Sequence, residues 1–405
     1  AQCDSSKERE QKLIAFTNWL DDNNFVRNFD LVALPGQGFG GIASREITPS
    51  EILLSVPMSK MVFGGDHKTV NGWNDWSGTV SADPLMLWVL RERINENCDW
   101  KPYLDMLPSN FDEHLLMWKE EDFKYASKTG LRDNQKKTLD ALRTSYDHLL
   151  GTLLVEQPDL FPEGYFTWDR YVWSFLVVST RSWRINERDN DMALVPLADM
   201  LNHAPDAGQG GVNDGKFIIN CTRSYSVGDQ VYDSYGPKTN FELLSSYGFI
   251  LEENPHNGAI IELSFNTETN LVHKIVEPIL ASEDPNYRQV TVRLNQIPHQ
   301  LLRLFRISSL TFSSLDSLSD AIKYQSVSLE NERKAFHATL SALKTVLSGY
   351  PTEDEDLALL ANTELTEKQR SCVLLRLGER RVFENTIDNI QILWRKVLLD
   401  GEMIG

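Results

Sequence analysis

Three short stretches of this chain carry residue types that could do chemistry. The first, Gly36-Gln37-Gly38-Phe39-Gly40-Gly41, spells G-x-G-x-x-G. A dinucleotide-binding turn needs a helix straight after it and an acidic residue about 20 positions on. Here Ile42-Ala43-Ser44-Arg45-Glu46-Ile47-Thr48-Pro49 follows, β-branched in character and stopped by proline, which disfavours that reading. No Gly-Lys-Ser/Thr follows, so a P-loop is excluded. Two readings stay open: a plain β-turn whose glycines accept positive φ, or such a turn with its bare backbone close to a cofactor. The second stretch is Pro196-Leu197-Ala198-Asp199-Met200-Leu201-Asn202-His203-Ala204-Pro205. Its Asn-His pair could cap a short helix ending at Asn202, or could hold a ligand. The third runs from Tyr232-Asp233-Ser234-Tyr235-Gly236-Pro237 through Asn240, Leu243 and Leu244 to Tyr247-Gly248-Phe249. Taken singly, each of its tyrosines reads as core-edge packing.

The elements that must position these stretches can be read from periodicity. A helix is expected over 8–22, with Leu13, Phe16, Trp19 and Leu20 on one face. Strands are expected at 31–34 and 42–43 around the glycine turn and at 51–56, followed by a loop over 63–78. Asp83 reads as an N-cap with Pro84 behind it. From there to about 184 the chain reads as mostly helical, with helices at 111–120, 133–154 and 168–179. Short β segments return over 194–262, including 216–221 and 230–234, with a helical stretch at 240–246. From about 270 the chain is helical, with an amphipathic helix at 330–347 and a core helix at 376–399. The acidic run 353–356 reads as a solvated loop or first helical turn. The order β, helical, β, helical suggests a helical insertion within one β-rich domain.

Composition bounds the rest. The 405 residues suggest two to three domains at about 100–200 residues each. With 41% apolar residues, wholesale disorder is excluded. Forty basic against 58 acidic residues leave a net charge of −18, a poor balance for nucleic-acid binding and a better one for a basic or protein partner. The cysteines Cys3, Cys98, Cys221 and Cys372 have neither zinc-ligand spacing nor the density of a disulfide framework, so a reducing, intracellular compartment is expected. No apolar run is long enough for a transmembrane helix. The N-terminus lacks the apolar stretch of a signal peptide, and a start at Ala1 leaves a removed leader open.

Taken together and in order, the glycine turn, Pro-x-x-Asp-x-x-Asn-His and Tyr-Gly-x-x-x-Asn-x-Glu-Leu-Leu-x-x-Tyr-Gly-Phe resemble the SET-domain protein methyltransferases. The likeness is nearest to the Rubisco large-subunit lysine methyltransferase type. Trp100-Lys101-Pro102-Tyr103-Leu104-Asp105-Met106-Leu107-Pro108 resembles the Trp-x-Pro-Tyr-Leu-x-x-Leu-Pro signature of that branch. By motif the resemblance covers about 25–262. It implies an α+β fold: a β-rich SET domain over 1–262, with a helical insertion at about 83–185, followed by an all-α substrate-binding domain over 263–405.

The resemblance further implies S-adenosylmethionine as methyl donor, S-adenosylhomocysteine as product, no metal, and the lysine ε-amine of a non-histone protein as acceptor. A lysine with its ordinary pKa of about 10.4 is protonated at neutral pH and has no lone pair. Such a site must lower that pKa by desolvation and by the nearby sulfonium charge, and aim the nitrogen at the methyl carbon. By resemblance, Gln37, Gly38, Phe39 and Gly40 make backbone contacts to the cofactor; many relatives carry Glu at the Gln37 position. Asn202 and His203 cradle its adenine and amino-acid parts, and Phe249 packs on the adenine. Tyr235 lines the cofactor and the methyl-transfer pore, and Tyr247 orients the amine. Arg181, with Asp199 as its partner, stands beside the substrate groove, or the two form a structural salt bridge. An actin-directed branch of similar architecture methylates histidine and, on this reading, lacks the tyrosine of the final Tyr-Gly-Phe. Tyr247 therefore favours lysine. A catalytically inactive SET fold serving as an interaction module is the remaining alternative, disfavoured by the presence of Asn202, His203 and Tyr247. A monomer is expected; cytoplasm, nucleus and plastid all stay open.

Overall fold

The computed structural model describes residues 6–68, 70, 72–185, 191–265, 271–310 and 318–400. Cys3 and the start of the chain, read above for compartment and leader, lie outside them. The chain divides into two compact units, Ala1–Met117 with Asp133–Pro237, and Trp118–Arg132 with Lys238–Gly405.

The first unit is built on three small sheets. Val26–Arg27, Ile52–Pro57, Lys216–Asn220 and Gly211–Asn213 form an antiparallel sheet in that order. Phe29–Leu34, Gly38–Ala43, Gln230–Asp233 and Asn202–His203 form a second, whose last pairing is parallel. Val62–Phe63, Asp191–Leu194 and Ser182–Ile185 form the third. The glycine stretch is the hairpin turn of the second sheet. Gln37 N–H donates to Leu34 O at 3.2 Å, across Pro35 and Gly36 at φ +72°. Proline then positive-φ glycine is the type II turn pattern. A strand, not a helix, follows, so the dinucleotide reading is lost. Gly41 is needed for packing: a Cβ there would lie 2.6 Å from both Phe29 and Val231.

The helices of this unit pack against the sheets through a core that includes Phe16, Leu20, Leu54, Val89, Tyr103, Tyr171 and Val177. The first helix, Ser6–Asp22, buries Phe16 and Leu20, as their spacing predicts. Asp83 differs from expectation. It is not the cap of Asp83–Glu92 but lies inside its first turn, fully buried, accepting from Val80 N–H, Ser145 Oγ and Tyr171 Oη. The helix expected over 111–120 is replaced by 3-10 turns at Leu115–Met117 and Glu120–Phe123. There His114 Nδ1 accepts from Leu116 N–H at 3.2 Å and Asp122 accepts from Lys119 N–H at 2.8 Å. Such local side-chain acceptors compete with helical bonding. The helix expected over 133–154 breaks at Thr152 into Leu131–Gly151 and Leu153–Glu156.

In the second unit, an antiparallel pair of strands, Gly258–Glu262 and Gln289–Arg293, accompanies seven helices among the described residues. The C-terminal region expected to be all-α is thus helical apart from the strand Gln289–Arg293. The longest helix, Glu367–Asp400, buries Cys372, Val382, Phe383 and Ile390. Segment 118–132 joins this unit: Arg376 Nη1 donates to Tyr125 O at 3.2 Å, and Tyr350 Oη bonds Lys128 O at 3.4 Å. The acidic run forms the first turn of Glu353–Leu360, capped reciprocally by Thr352 and Glu355. It is not wholly solvated, because Asp356 is 1% exposed and takes a 2.9 Å bond from Arg376 Nε. Arg306 and Glu332 form a second buried pair, at 2.8 and 2.9 Å. Among the described residues no helix is long and apolar enough to cross a membrane.

Candidate functional site

Most of the predicted site residues fall in the first unit, and the second sheet brings them together. Asn202 and His203 do not cap a helix. They form an extended strand paired in parallel with Tyr232 and Asp233. The preceding segment makes only a 3-10 turn, Ala198–Met200, before straightening. Side-chain bonds then join this strand to the glycine turn. Asn202 Nδ2 donates to Gln37 Oε1 at 3.1 Å and lies 3.5 Å from Phe39 O. Gln230, unremarked in the sequence, also donates to Gln37 Oε1, at 3.2 Å, and itself accepts from Tyr232 Oη at 3.1 Å.

The four turn residues play different physical parts. Gly38, at φ +76°, has open space where a side chain would stand, so its backbone is accessible. Gly40 is a packing position: a Cβ there would lie 2.4 Å from Leu34 Cδ1 and 3.1 Å from Asn202 Nδ2. Phe39 packs against the core, and Gln37 is the exposed acceptor that both amides share.

His203 and Tyr235 form one piece. Tyr235 N–H donates to His203 Nδ1 at 3.1 Å, and the rings stack with centroids 5.0 Å apart. An accepting Nδ1 leaves the neutral ring's proton on Nε2. Tyr235 Oη donates to Leu201 O at 2.9 Å, which ties the Tyr-Gly stretch to the residue before Asn202. Opposite His203 stands Asp233, fully buried, its carboxyl met by the backbone N–H groups of Ser234 and Gly210 in poor geometry and by no side chain among the described residues. Burial pushes its carboxyl up to about 8. The glycines of 208–210 allow the close packing around it: a Cβ at Gly208 would lie 1.9 Å from Asn220 O, and one at Gly210 2.1 Å from Phe217.

Arg181 and Asp199 do pair. Arg181 Nη1 donates to Asp199 O at 2.8 Å and lies 3.3 Å from Oδ2. The Asp199 side chain has no exposed surface. A third residue completes the group: Tyr103 Oη, fully buried, donates to Asp199 Oδ2 at 2.9 Å. Burial raises the Asp199 carboxyl, opposed by the Arg181 charge, and burial with the Asp199 charge raises the Tyr103 phenol. Tyr103 stood in the Trp-x-Pro-Tyr signature, but nothing in the sequence pointed it at Asp199.

Tyr247 and Phe249 belong to the second unit. The helix Asn240–Tyr247 starts with a reciprocal Thr239–Glu242 capping box and ends at Gly248 in the left-handed region, φ +83°. The chain returns under Asn240, whose side chain donates to Leu251 O at 2.8 Å and accepts from Leu251 N–H and Asn254 Nδ2. Asn240 therefore positions the Tyr-Gly-Phe corner, a role its place in the motif left unstated. The Tyr247 and Phe249 rings lie 6.3 Å apart, tilted by 50°.

Among the described residues no group of three or more His, Cys, Asp or Glu side chains could hold a metal. A surface groove on the first sheet, bordered by Val26, Ile52, Asn213 and Lys216, contains none of the predicted site residues.

Residues 275–383 match the family described as Rubisco LSMT substrate-binding. The chain is 26% identical over 418 residues to the actin-histidine N-methyltransferase of Homo sapiens, covering 95% of this chain and 69% of that protein. Its likeness to the protein of the same name from Rattus norvegicus is also 26%, over 94% of this chain and 68% of the relative. The fold is similar to that of the SET domain of LSMT solved with lysine and AdoHcy, with a TM-score of 0.76 at 21% identity over 96% of this chain and 92% of the other. Rubisco LSMT solved with AdoMet gives a TM-score of 0.72 at 22% identity, over 95% and 93% of the two chains. The expected α+β SET architecture with a helical C-terminal region is borne out.

Proposed function

We propose that this chain, a SET-fold protein of the Rubisco LSMT type, is an S-adenosylmethionine-dependent protein methyltransferase acting on a lysine ε-amine of a non-histone protein. The observation that carries the reading is the bond from the Asn202 amide to Gln37. It unites the glycine turn and the Asn-His strand, two motifs 165 residues apart, into one polar ledge. The donor set suits the cofactor. Gly38 offers open backbone, Asn202 an amide beside Gln37, and His203 a ring stacked on Tyr235. When bound, S-adenosylmethionine supplies an electrophilic methyl group on a sulfonium.

The chain's own residues have the remaining tasks. Gln37, Gly38, Phe39, Gly40, Asn202 and His203 hold the cofactor, with Phe249 on its adenine. Tyr235, fixed by its bond to Leu201 O, lines the transfer path as a wall. Tyr247 holds the amine by its hydroxyl, and the aromatic surroundings exclude water, which disfavours the protonated amine. Arg181, part-exposed, borders the substrate groove, and Asp199, whose side chain has no exposed surface, holds it from behind as a structural partner. The SET domain is assigned to 1–262, with its helical insertion at 83–185, and the substrate-binding domain to 263–405. The net charge of −18 suits a basic target. We take the protein as a monomer acting inside the cell.

A second reading, histidine as the acceptor, is favoured by the relatives whose name is actin-histidine N-methyltransferase, 26% identical over 95% of this chain. Isothermal titration with S-adenosylmethionine, with NAD as control, tests the cofactor. Binding that His203→Ala abolishes supports the reading, and a folded chain that does not bind refutes it. Amino-acid analysis of radiolabelled acceptors then separates methyl-lysine from methyl-histidine.

A further inference from the structure

The segment that delivers Asn202 and His203 starts from an unfavourable backbone. Leu197 has φ +75° and ψ −49°, close to the rare γ-turn conformation, and it is not a glycine. Such a residue persists only where its surroundings over-determine it. Leu197 itself is fully buried among apolar neighbours, which supply shape but no direction. Two 3.2 Å backbone bonds, Asp199 N–H to Val195 O and Met200 N–H to Leu197 O, close the turn locally, and the side-chain bonds that anchor it from outside come at Asp199. There Arg181 Nη1 grips the main-chain oxygen at 2.8 Å, and Tyr103 Oη grips carboxylate Oδ2 at 2.9 Å. Both side chains approach from outside the turn, Tyr103 from the short helix Lys101–Leu104 and Arg181 from the last turn of Trp168–Arg181.

A carboxylate with no exposed surface is costly unless it is paired and hydrogen-bonded. Here the pairing is incomplete: among the described residues Asp199 Oδ1 and Arg181 Nε make no well-formed hydrogen bond, the nearest donor to the carboxylate besides Tyr103 and Arg181 being its own backbone N–H. The Tyr103 hydroxyl is thus one of few donors to that carboxylate, and its removal is not made good by water. Asp199 is the middle residue of the one 3-10 turn, Ala198–Met200, after which the chain offers Leu201 O to Tyr235 and extends as Asn202–His203. A shift of the turn would displace Leu201 O and the Asn202 amide together.

We propose that Tyr103 is a positioning residue for the cofactor ledge, acting through Asp199, together with Arg181, to hold the strained turn from which Asn202 and His203 extend. The inference rests on the reading that Asn202 and His203 hold S-adenosylmethionine. It also gives a physical reason for a tyrosine in the Trp-Lys-Pro-Tyr-Leu stretch, 99 residues before Asn202.

The test is titration of the whole 405-residue chain carrying Tyr103→Phe, Asp199→Asn or both with S-adenosylmethionine, with thermal unfolding measured alongside. Tyr103→Phe is expected to raise the dissociation constant about tenfold, the scale of one lost hydrogen bond to a buried charged group. In the Asp199→Asn background the same change is expected to add less than about twofold, because the two residues act as one unit. A residue that merely stabilised the fold would lower the unfolding temperature and leave the dissociation constant of the folded protein unchanged. That outcome, or fully additive losses, overturns the proposal. If Tyr103→Phe does not fold, isosteric Asp199→Asn decides alone: a weakened affinity supports the device and an unchanged one refutes it. A wild-type chain that binds no S-adenosylmethionine overturns the cofactor reading itself, which separates that failure from this one.

Discussion

Asp233→Asn isolates a buried acid at the centre of the first unit. Asp233 is fully buried, and desolvation pushes its carboxyl from 3.8 up to about 8 against the opposing pull of the Ser234 and Gly210 backbone N–H groups. The sign follows from proton counting. Between these values the folded protein holds a proton that the unfolded chain has released. Stability from this group is therefore complete below about pH 4 and is lost as pH rises towards 8. The slope for one group is ~1.4 kcal/mol per pH unit. Between pH 5 and pH 7 the wild type loses ~3 kcal/mol that the amide, which does not titrate, retains. The buried amide has its own desolvation cost, but that cost does not vary with pH, so the difference between the proteins is the informative quantity. Urea unfolding of both proteins at pH 5, 6, 7 and 8 measures it. The variant is expected to gain on the wild type through this range and to level off above pH 8. A difference independent of pH would refute the reasoning, because it would mean that Asp233 is ionised in the folded protein.

Further outcomes follow from the same geometry. Glu379, buried beside Tyr350 and pushed up to about 8, should give the second unit a loss of the same sign over the same range; Glu379→Gln should flatten it in urea unfolding. Asn202→Ala removes the bond to Gln37 and should weaken S-adenosylmethionine binding about tenfold in calorimetric titration, and an unchanged constant would remove Asn202 from the ledge. Tyr247→Phe should cut turnover strongly while cofactor affinity stays within a few-fold, as followed by radiolabelled methyl transfer. Arg376→Ala strands the Asp356 carboxylate, which is 1% exposed, and should cost ~3–5 kcal/mol in denaturant unfolding, against under 1 kcal/mol for an exposed pair such as Lys101–Asp105.

Much of this protein is determined locally and can be read without a structure. The helix Ser6–Asp22, the strands flanking the glycine turn and the capped helix Asn240–Tyr247 follow from apolar period, Pro-Gly turn chemistry and the Thr-x-x-Glu box. The order of three motifs was enough to point to a SET fold. Other features could be decided only by tertiary structure, because their partners are far apart in sequence. Asp83 looked like a helix cap, but Tyr171, 88 residues away, makes it a buried acceptor. Asn202-His203 looked like a helix end, but pairing with Tyr232 and Asp233 draws it into a parallel strand. The run 353–356 looked solvated, but Arg376 buries one of its four carboxylates. The Arg181–Asp199 pair was expected from the resemblance, but nothing in the sequence joined Tyr103 to it. The three become a device only where the fold brings the Tyr103 phenol to that pair out of water, where a bond 2.9 Å long cannot be exchanged for solvent.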